Sequence, residues 1–295
     1  MIEVRKGEQT FPFSEGIMAK SLTGAGLPVE DAYRIVRQIR SELRESEKGE
    51  VTSNRLRDLV SQKLLDAGRE YEERFYRVRR RIKYLSEPVF ILIGGTTGVG
   101  KSTIAAEIGH RLGINRVIGT DTIREIMRSI ISRNLIPTLH ESTFEAMEAL
   151  RTEDIEHRLI YAFQEQARLV TEGVAAVVRR GAKEGLHMVL NGVHIVPGLL
   201  DRILDQTPRH FFQFMLSVSE PEHHKMFFYE REKASRRAAD RYVESLGRIR
   251  RVQDFLLSQA KKYDVRIVEN EEYENTLKTI QEDVIAGFWE EVDHA

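Results

Sequence analysis

Apolar residues change their rhythm along this chain of 295 residues, and the change falls near residue 86. Before it the period is helical. Ile17 and Leu22 lead into Ala32, Ile35, Val36, Ile39 and Leu43, with Arg34, Arg37 and Arg40 between them. Leu56, Leu59, Val60, Leu64 and Leu65 predict another helix, and Arg69–Tyr84 a third, highly charged one. A short β-like start at Ile2–Val4 meets Gly7, and Thr10-Phe11-Pro12-Phe13 reads as the beginning of a turn. Ser86-Glu87-Pro88 closes this part, because a proline pushes the residue before it toward extended backbone.

From Pro88 onward, short apolar runs alternate with helical stretches. Val89–Ile93 is apolar at every position, as a strand covered on both faces should be. A helix is expected after Ser102, a weak strand at Val117–Gly119, and a long helical region over Phe144–Glu184. Further strands are expected at Met188–Leu190, Phe211–Val218 and Val265–Val268. This alternation predicts an α/β fold, an open, mostly parallel sheet with helices on both faces, preceded by a small, mainly helical domain. The expected division is 1–85 and 86–295.

Composition narrows the classes. With 41% hydrophobic and 31% charged residues a packed core is expected. There is no cysteine, which excludes disulfide frameworks, Cys-ligated zinc, iron–sulfur clusters and thiol catalysis. No run approaches the roughly 20 apolar residues of a membrane span, and Met1–Lys6 lacks the apolar core of a signal peptide, so the expectation is a cytoplasmic chain without a membrane partner. Lys+Arg is 45 against Asp+Glu 46, a formal net charge of -1. A nucleic-acid coat needs a basic surplus, so no nucleic-acid partner is expected.

Chemistry first becomes specific at Gly95, Thr96, Thr97, Gly98, Val99, Gly100, Lys101 and Ser102, which fit G-x-x-x-x-G-K-[ST] directly after a predicted strand, with Thr103 opening the helix. Glycines let the backbone turn its N–H groups inward as a nest for phosphate oxygens, and the next helix aims its positive end at the same anion. Lys101 would reach the β- and γ-phosphates and the Ser102 hydroxyl would ligate Mg²⁺, so ATP and Mg²⁺ are the expected cofactors. Neither Asn-Lys-x-Asp nor Asp-x-x-Gly occurs, which removes the usual elements of regulatory GTPases. Asn191 ends a predicted strand where P-loop proteins commonly carry an acid; being neutral, it would orient a water in the Mg²⁺ shell, or simply end the strand in a turn.

Asp121, after the second strand of this part, is placed to accept or orient the proton of an attacking hydroxyl; it also suits the N-cap of a helix beginning at Thr122. Arg124, one turn on, would fork onto an anionic acceptor. Two histidines complete the expected acceptor side: His140, in a polar, non-periodic stretch, and His194, after the third strand. Arg231–Arg251 carries eight bases and three acids, a local +5, while Glu269–Ala295 carries nine acids and one Lys. Near neutrality is thus a cancellation between regions. The basic segment reads as a lid over about 225–260, with Arg231, Arg237 and Arg241 as candidate phosphate contacts.

Gly94–Thr103, Gly119–Glu125, Leu139–Ser142 and Gly192-Val193-His194-Ile195-Val196-Pro197-Gly198 together resemble the 2-phosphoglycerate kinase family over about Pro88 to Asn270. Val4-Arg5-Lys6-Gly7, Pro12-Phe13 and Ala25-Gly26 resemble an ATP-cone, a small nucleotide-binding regulatory module, with Arg5 and Lys6 as its candidate contacts. The first resemblance implies transfer of the ATP γ-phosphoryl to the hydroxyl of a small phosphorylated hydroxy acid, 2-phosphoglycerate, giving 2,3-bisphosphoglycerate. A kinase of another small anionic alcohol and a non-catalytic ATP-responsive regulator stand as alternatives, and the oligomeric state is left open.

Overall fold

A computed structural model describes residues 2–46, 49–149, 155–199, 210–234 and 239–292. By internal packing the chain separates into two units, Met1–Leu85 with His110–Gly113 and Ile285–Ala295, and Ser86–Gly109 with Ile114–Val284.

In the first unit, β1 (Glu3–Lys6) turns at Gly7 and pairs antiparallel with β2 (Gln9–Pro12). The segment expected to begin a turn is therefore largely the second strand of a hairpin. Pro12 is compatible with it because it ends an edge strand, where no ladder N–H is needed. A third strand, β3 (Glu50–Thr52), adds parallel to β1 and was not anticipated, since three residues are too few to show a period. Among the described residues up to 85 the helices are α1 (Glu15–Gly24), α2 (Val29–Ser46), α3 (Ser53–Asp66) and α4 (Glu70–Ile82). Ser14 caps α1 by accepting from the Ile17 N–H, and Thr52 caps α3 from Arg55. Helix α4 begins with Glu70, Glu72 and Glu73 and ends with Arg79, Arg80 and Arg81, charges that complement its dipole at both ends. Leu22, Val36, Ile39, Leu43, Val60, Leu64, Phe75 and Val78 are fully or almost fully buried.

The second unit holds five parallel strands: β4 (Val89–Gly94), β5 (Val117–Gly119), β6 (Met188–Asn191), β7 (His210–Ser217) and β8 (Arg266–Glu269), in the order β5-β6-β4-β7-β8. β4 is central and buried at every residue, which explains its unbroken apolar run. Phe90, Leu92, Met188 and Leu190 pack on Val170, Val174 and Val178 of α8 (Ile155–Glu184) and on Ile123 of α6 (Thr120–Ile130). A second layer joins Met215 to Val252, Leu256 and Ala260 of the helix Leu246–Lys262 and to Leu159 and Phe163 of α8. The region expected as one helix over 144–184 contains a 3-10 turn at Ala146–Ala149 before α8, with 150–154 outside the described residues.

Strand register carries the consequence for chemistry. Ile93 is level with Asn191 and Asn191 with Gly119, so the ends of β4, β6 and β5 line up at the carboxyl edge of the sheet. Ligands of open parallel sheets bind at that edge. No helix among the described residues is long and apolar enough to cross a membrane.

Candidate active site

The loop Gly95–Gly100 joins the end of β4 to α5 (Lys101–Leu112). Its shape demands glycine. Gly98 has φ +87°, and a Cβ there would lie 2.2 Å from the Phe228 ring. Three side-chain bonds anchor the loop, one from its own Thr96 and two from outside it. Thr96 Oγ1 donates to the Ile249 carbonyl at 3.1 Å, Asn270 Nδ2 donates to the Val99 carbonyl at 3.0 Å, and His224 Nε2–H donates to the Thr97 carbonyl at 2.8 Å. His224 also stacks on Phe228, and burial lowers its pKa, so the ring is neutral. Lys101 Nζ donates to the Thr96 carbonyl, and Ser102 Oγ donates to Asn191 Oδ1 at 3.1 Å.

Asn191, 5% exposed, sits beneath the loop rather than in an open pocket. His194 was expected to reach an acceptor. Instead it is fully buried, with both ring nitrogens engaged within the protein: Nδ1 accepts from Thr120 Oγ1 at 2.9 Å and Nε2–H donates to Gln166 Oε1 at 3.1 Å. Burial pushes its pKa down to about 4; Asp121 opposes that shift, and Arg124 and Lys101 add to it. His194 therefore bridges Thr120 and Gln166 in this structure. Gly192, directly after Asn191, explains how the chain leaves the strand so tightly: it passes close enough that a Cβ would overlap Thr120 Oγ1.

Helix α6 begins at Thr120, with Gly119 at the cap position and no side-chain cap. Asp121 is thus inside the first turn and exposed, not the N-cap that a start at Thr122 would have made it. Arg124 is half-buried and donates through Nε to the Leu139 carbonyl at 2.9 Å; burial lowers its pKa, and Asp121 acts the other way. The polar stretch after it contains a short helix, α7 (Pro137–His140), and His140 Nε2–H donates to the Ile131 carbonyl at 2.9 Å. Arg124 thus holds the end of α7 at Leu139, and His140 ties the same end to Ile131.

Of the lid arginines, Arg241 is drawn onto Glu145 through two guanidinium nitrogens and lies 5.8 Å over the Phe144 ring. The hydrogen bond from Arg241 to Glu145 raises the arginine's pKa. Arg237 and the side chain of Arg231 lie outside the described residues. Gln166, His224, Asn270 and Glu145 were not anticipated. Gln166 left a trace, being a polar residue within the buried stripe Phe163, Ala167, Val170 and Val174; Asn270 directly follows a predicted strand on the ligand edge. His224 and Glu145 left none, because their roles depend on long-range packing.

In the first unit, a cavity of about 770 Å³ is lined by Arg5, Lys6, Arg57, Arg77, Arg80 and Arg81, together with Tyr84, Asp58 and Glu73. Lys6 Nζ lies 4.8 Å over the Tyr84 ring, and Arg5 pairs with Glu50 at 2.8 Å. Both residues named from sequence reach this cavity, and four arginines from α3 and α4 join them.

A phosphate-binding loop after the central strand, with a carboxylate and an arginine on the helix that follows the strand two places away, defines an ATP-dependent small-molecule kinase of the P-loop class. Residues 1–85 match the model of the ATP cone domain. The whole chain is similar to the 2-phosphoglycerate kinases of Pyrococcus furiosus, 42% identical over 97% of this chain and 94% of that one. It is similar also to those of Methanopyrus kandleri, 41% over 95% and 85%, and Methanocaldococcus jannaschii, 41% over 91% and 86%. The chain belongs to the 2-phosphoglycerate kinase family.

Proposed function

We propose that this chain transfers the γ-phosphoryl group of ATP to the free hydroxyl of 2-phosphoglycerate. The hydroxyl oxygen forms the new P–O bond, the bond from the γ-phosphorus to the bridging oxygen breaks, ADP leaves, and the hydroxyl proton passes to Asp121 or, oriented by it, to water. The products are 2,3-bisphosphoglycerate and ADP. The observation that carries this reading is the pairing of the Gly95–Ser102 loop with the Asp121–Arg124 turn through the aligned ends of β4, β6 and β5, in a chain 42% identical over 97% of its length to a named 2-phosphoglycerate kinase.

Each group has a physical task. The loop's inward N–H groups and the start of α5 bind the β- and γ-phosphates. Lys101 leaves the Thr96 carbonyl for the γ-phosphate when nucleotide enters. Arg124, already desolvated and held by Leu139, receives the anionic end of the acceptor, where a guanidinium fork matches a carboxylate or phosphate.

The start of α5 and the end of β6 present neutral oxygens to Mg²⁺. Ser102 Oγ and Asn191 Oδ1 lie together, and no cluster of three or more Asp, Glu or His occurs among the described residues. That suits Mg²⁺ carried in by the nucleotide, which keeps most of its waters and takes few protein ligands. Ser102 would hold it, with Asn191 orienting a bound water; when bound, it neutralises charge on the phosphate oxygens.

For residues 1–85 we propose a regulatory nucleotide site in the basic cavity. Its cluster of guanidinium groups suits a polyphosphate, and Tyr84 offers a ring for stacking.

The test is purified protein with ATP, Mg²⁺ and a panel of phosphorylated and unphosphorylated hydroxy acids, followed by ADP release. Turnover should depend on 2-phosphoglycerate and vanish in Lys101→Ala. Equal turnover with and without every acceptor rules out this reading.

A further inference from the structure

Gln166, from the buried face of α8, has all four of its hydrogen-bonding positions filled. Its Nε2 donates to the carbonyls of Thr138 at 2.6 Å and Glu141 at 2.9 Å. Its Oε1 accepts from Thr143 Oγ1 at 3.1 Å and from His194 Nε2–H at 3.1 Å. Carbonyl oxygens only accept, so the amide's orientation is fixed by its partners. That in turn fixes His194 as the Nε2–H tautomer and points the Thr120 hydroxyl at Nδ1.

These bonds connect the two halves of the acceptor side. One arm holds the turn 138–141 by carbonyls on either side of Leu139, whose own carbonyl receives Arg124. The other arm runs through His194 to Thr120, the residue before Asp121. We propose that Gln166 is the positioning residue that sets the separation and aim of Arg124 and Asp121, and so the fit of the anionic hydroxy acid. The inference rests on the acceptor reading above. None of these four hydrogen bonds reaches the Gly95–Ser102 loop, so nucleotide binding should be nearly independent of Gln166.

The replacement Gln166→Glu keeps size and one acceptor oxygen but turns an oxygen onto two carbonyls in place of the N–H donors. Steady-state kinetics with both substrates varied, and hydrogen exchange of the ligand-free protein, test the proposal. The KM for 2-phosphoglycerate should rise at least about tenfold while that for ATP stays within about twofold. Amide exchange should speed up over 131–143 and stay unchanged over 95–103. A new ionisation should also appear in the acid limb of the pH profile, because a carboxylate at Nε2 favours protonated His194. An unchanged acceptor KM, an equal rise in both KM values, or faster exchange in both segments overturns the proposal. Should Gln166→Glu fail to fold, Thr143→Val, which removes one hydroxyl from Oε1, should give the same split at smaller size; no split there also overturns it. If the wild type shows no acceptor-dependent turnover, the acceptor reading fails, and the exchange pattern alone decides the role of Gln166.

Discussion

Ser102 Oγ donates to Asn191 Oδ1 across 3.1 Å, joining the first turn of the P-loop helix to the end of the neighbouring strand. An acid at that strand end would add a full charge next to the metal-bound phosphates; Asn191 adds a dipole. Asn191→Asp should therefore bind Mg²⁺ more tightly during turnover. The Mg²⁺ concentration for half-maximal rate should fall about tenfold if the added charge is worth about 1.4 kcal/mol. Without nucleotide and metal the same carboxylate is buried and unpaired, so the variant's melting temperature should drop and saturating Mg²⁺–ATP should restore it. Thermal melts with and without ligand check both signs.

Lys101 is bonded to the loop's own Thr96 carbonyl, a contact that a nucleotide phosphate would replace. Its removal should cost catalysis rather than folding. Lys101→Ala should lower kcat by about 10²- to 10³-fold, as expected for one lost transition-state cation, with a melting temperature near that of the wild type. ADP-release assays and melts on the same preparation decide it.

Asp121 and Arg124 share the first two turns of α6 and should fail differently. Asp121→Asn keeps shape and removes the proton acceptor, so kcat should fall by about 10²- to 10⁴-fold with both KM values little changed. Arg124→Lys loses the planar fork and its Leu139 bond, so the acceptor KM should rise most. A common pattern in the two variants would contradict the separate roles.

Stability should depend on pH through His194. Its folded pKa is pushed down to about 4 from the ordinary histidine value of 6.5, by burial first, with Asp121 opposing and Arg124 and Lys101 assisting. Between those values the unfolded chain binds more protons than the folded one, so stability falls as pH drops through that window, and the loss is complete below about pH 4. The loss is about 3 kcal/mol. His224, also lowered mainly by burial, acts in the same direction. Chemical denaturation between about pH 7 and about pH 4 measures the slope, and His194→Gln should flatten it.

The cavity of residues 5–84 predicts two ATP-binding events in the full chain by calorimetry. The double variant Lys6→Ala, Arg81→Ala should remove one event and leave acceptor-dependent turnover in place. A single event in the wild type would leave the cone without a nucleotide.

Much of this was readable before the fold. The period of Ala32–Leu43, the unbroken run Val89–Ile93 and the spacing from Gly95 to Ser102 are local properties, because helix pitch, strand burial and a phosphate nest depend on nearby residues. The strand β3 was too short to show itself. The roles of Asp121 and His194 were open because a cap, a base and a buried hydrogen-bonder share a residue type and differ only in surroundings.

The sequence by itself determined the α/β class, the phosphate loop and the basic segment, since each is written in contiguous residues. Tertiary structure decided what distant residues do to one another. It placed Asn191 level with Ile93, buried His194 between Thr120 and Gln166, turned Arg241 to Glu145, and bonded Gln166 to the turn 138–141. Those assignments depend on strand order and on which buried polar groups must find partners, and both are settled only when the whole sheet and its helices pack.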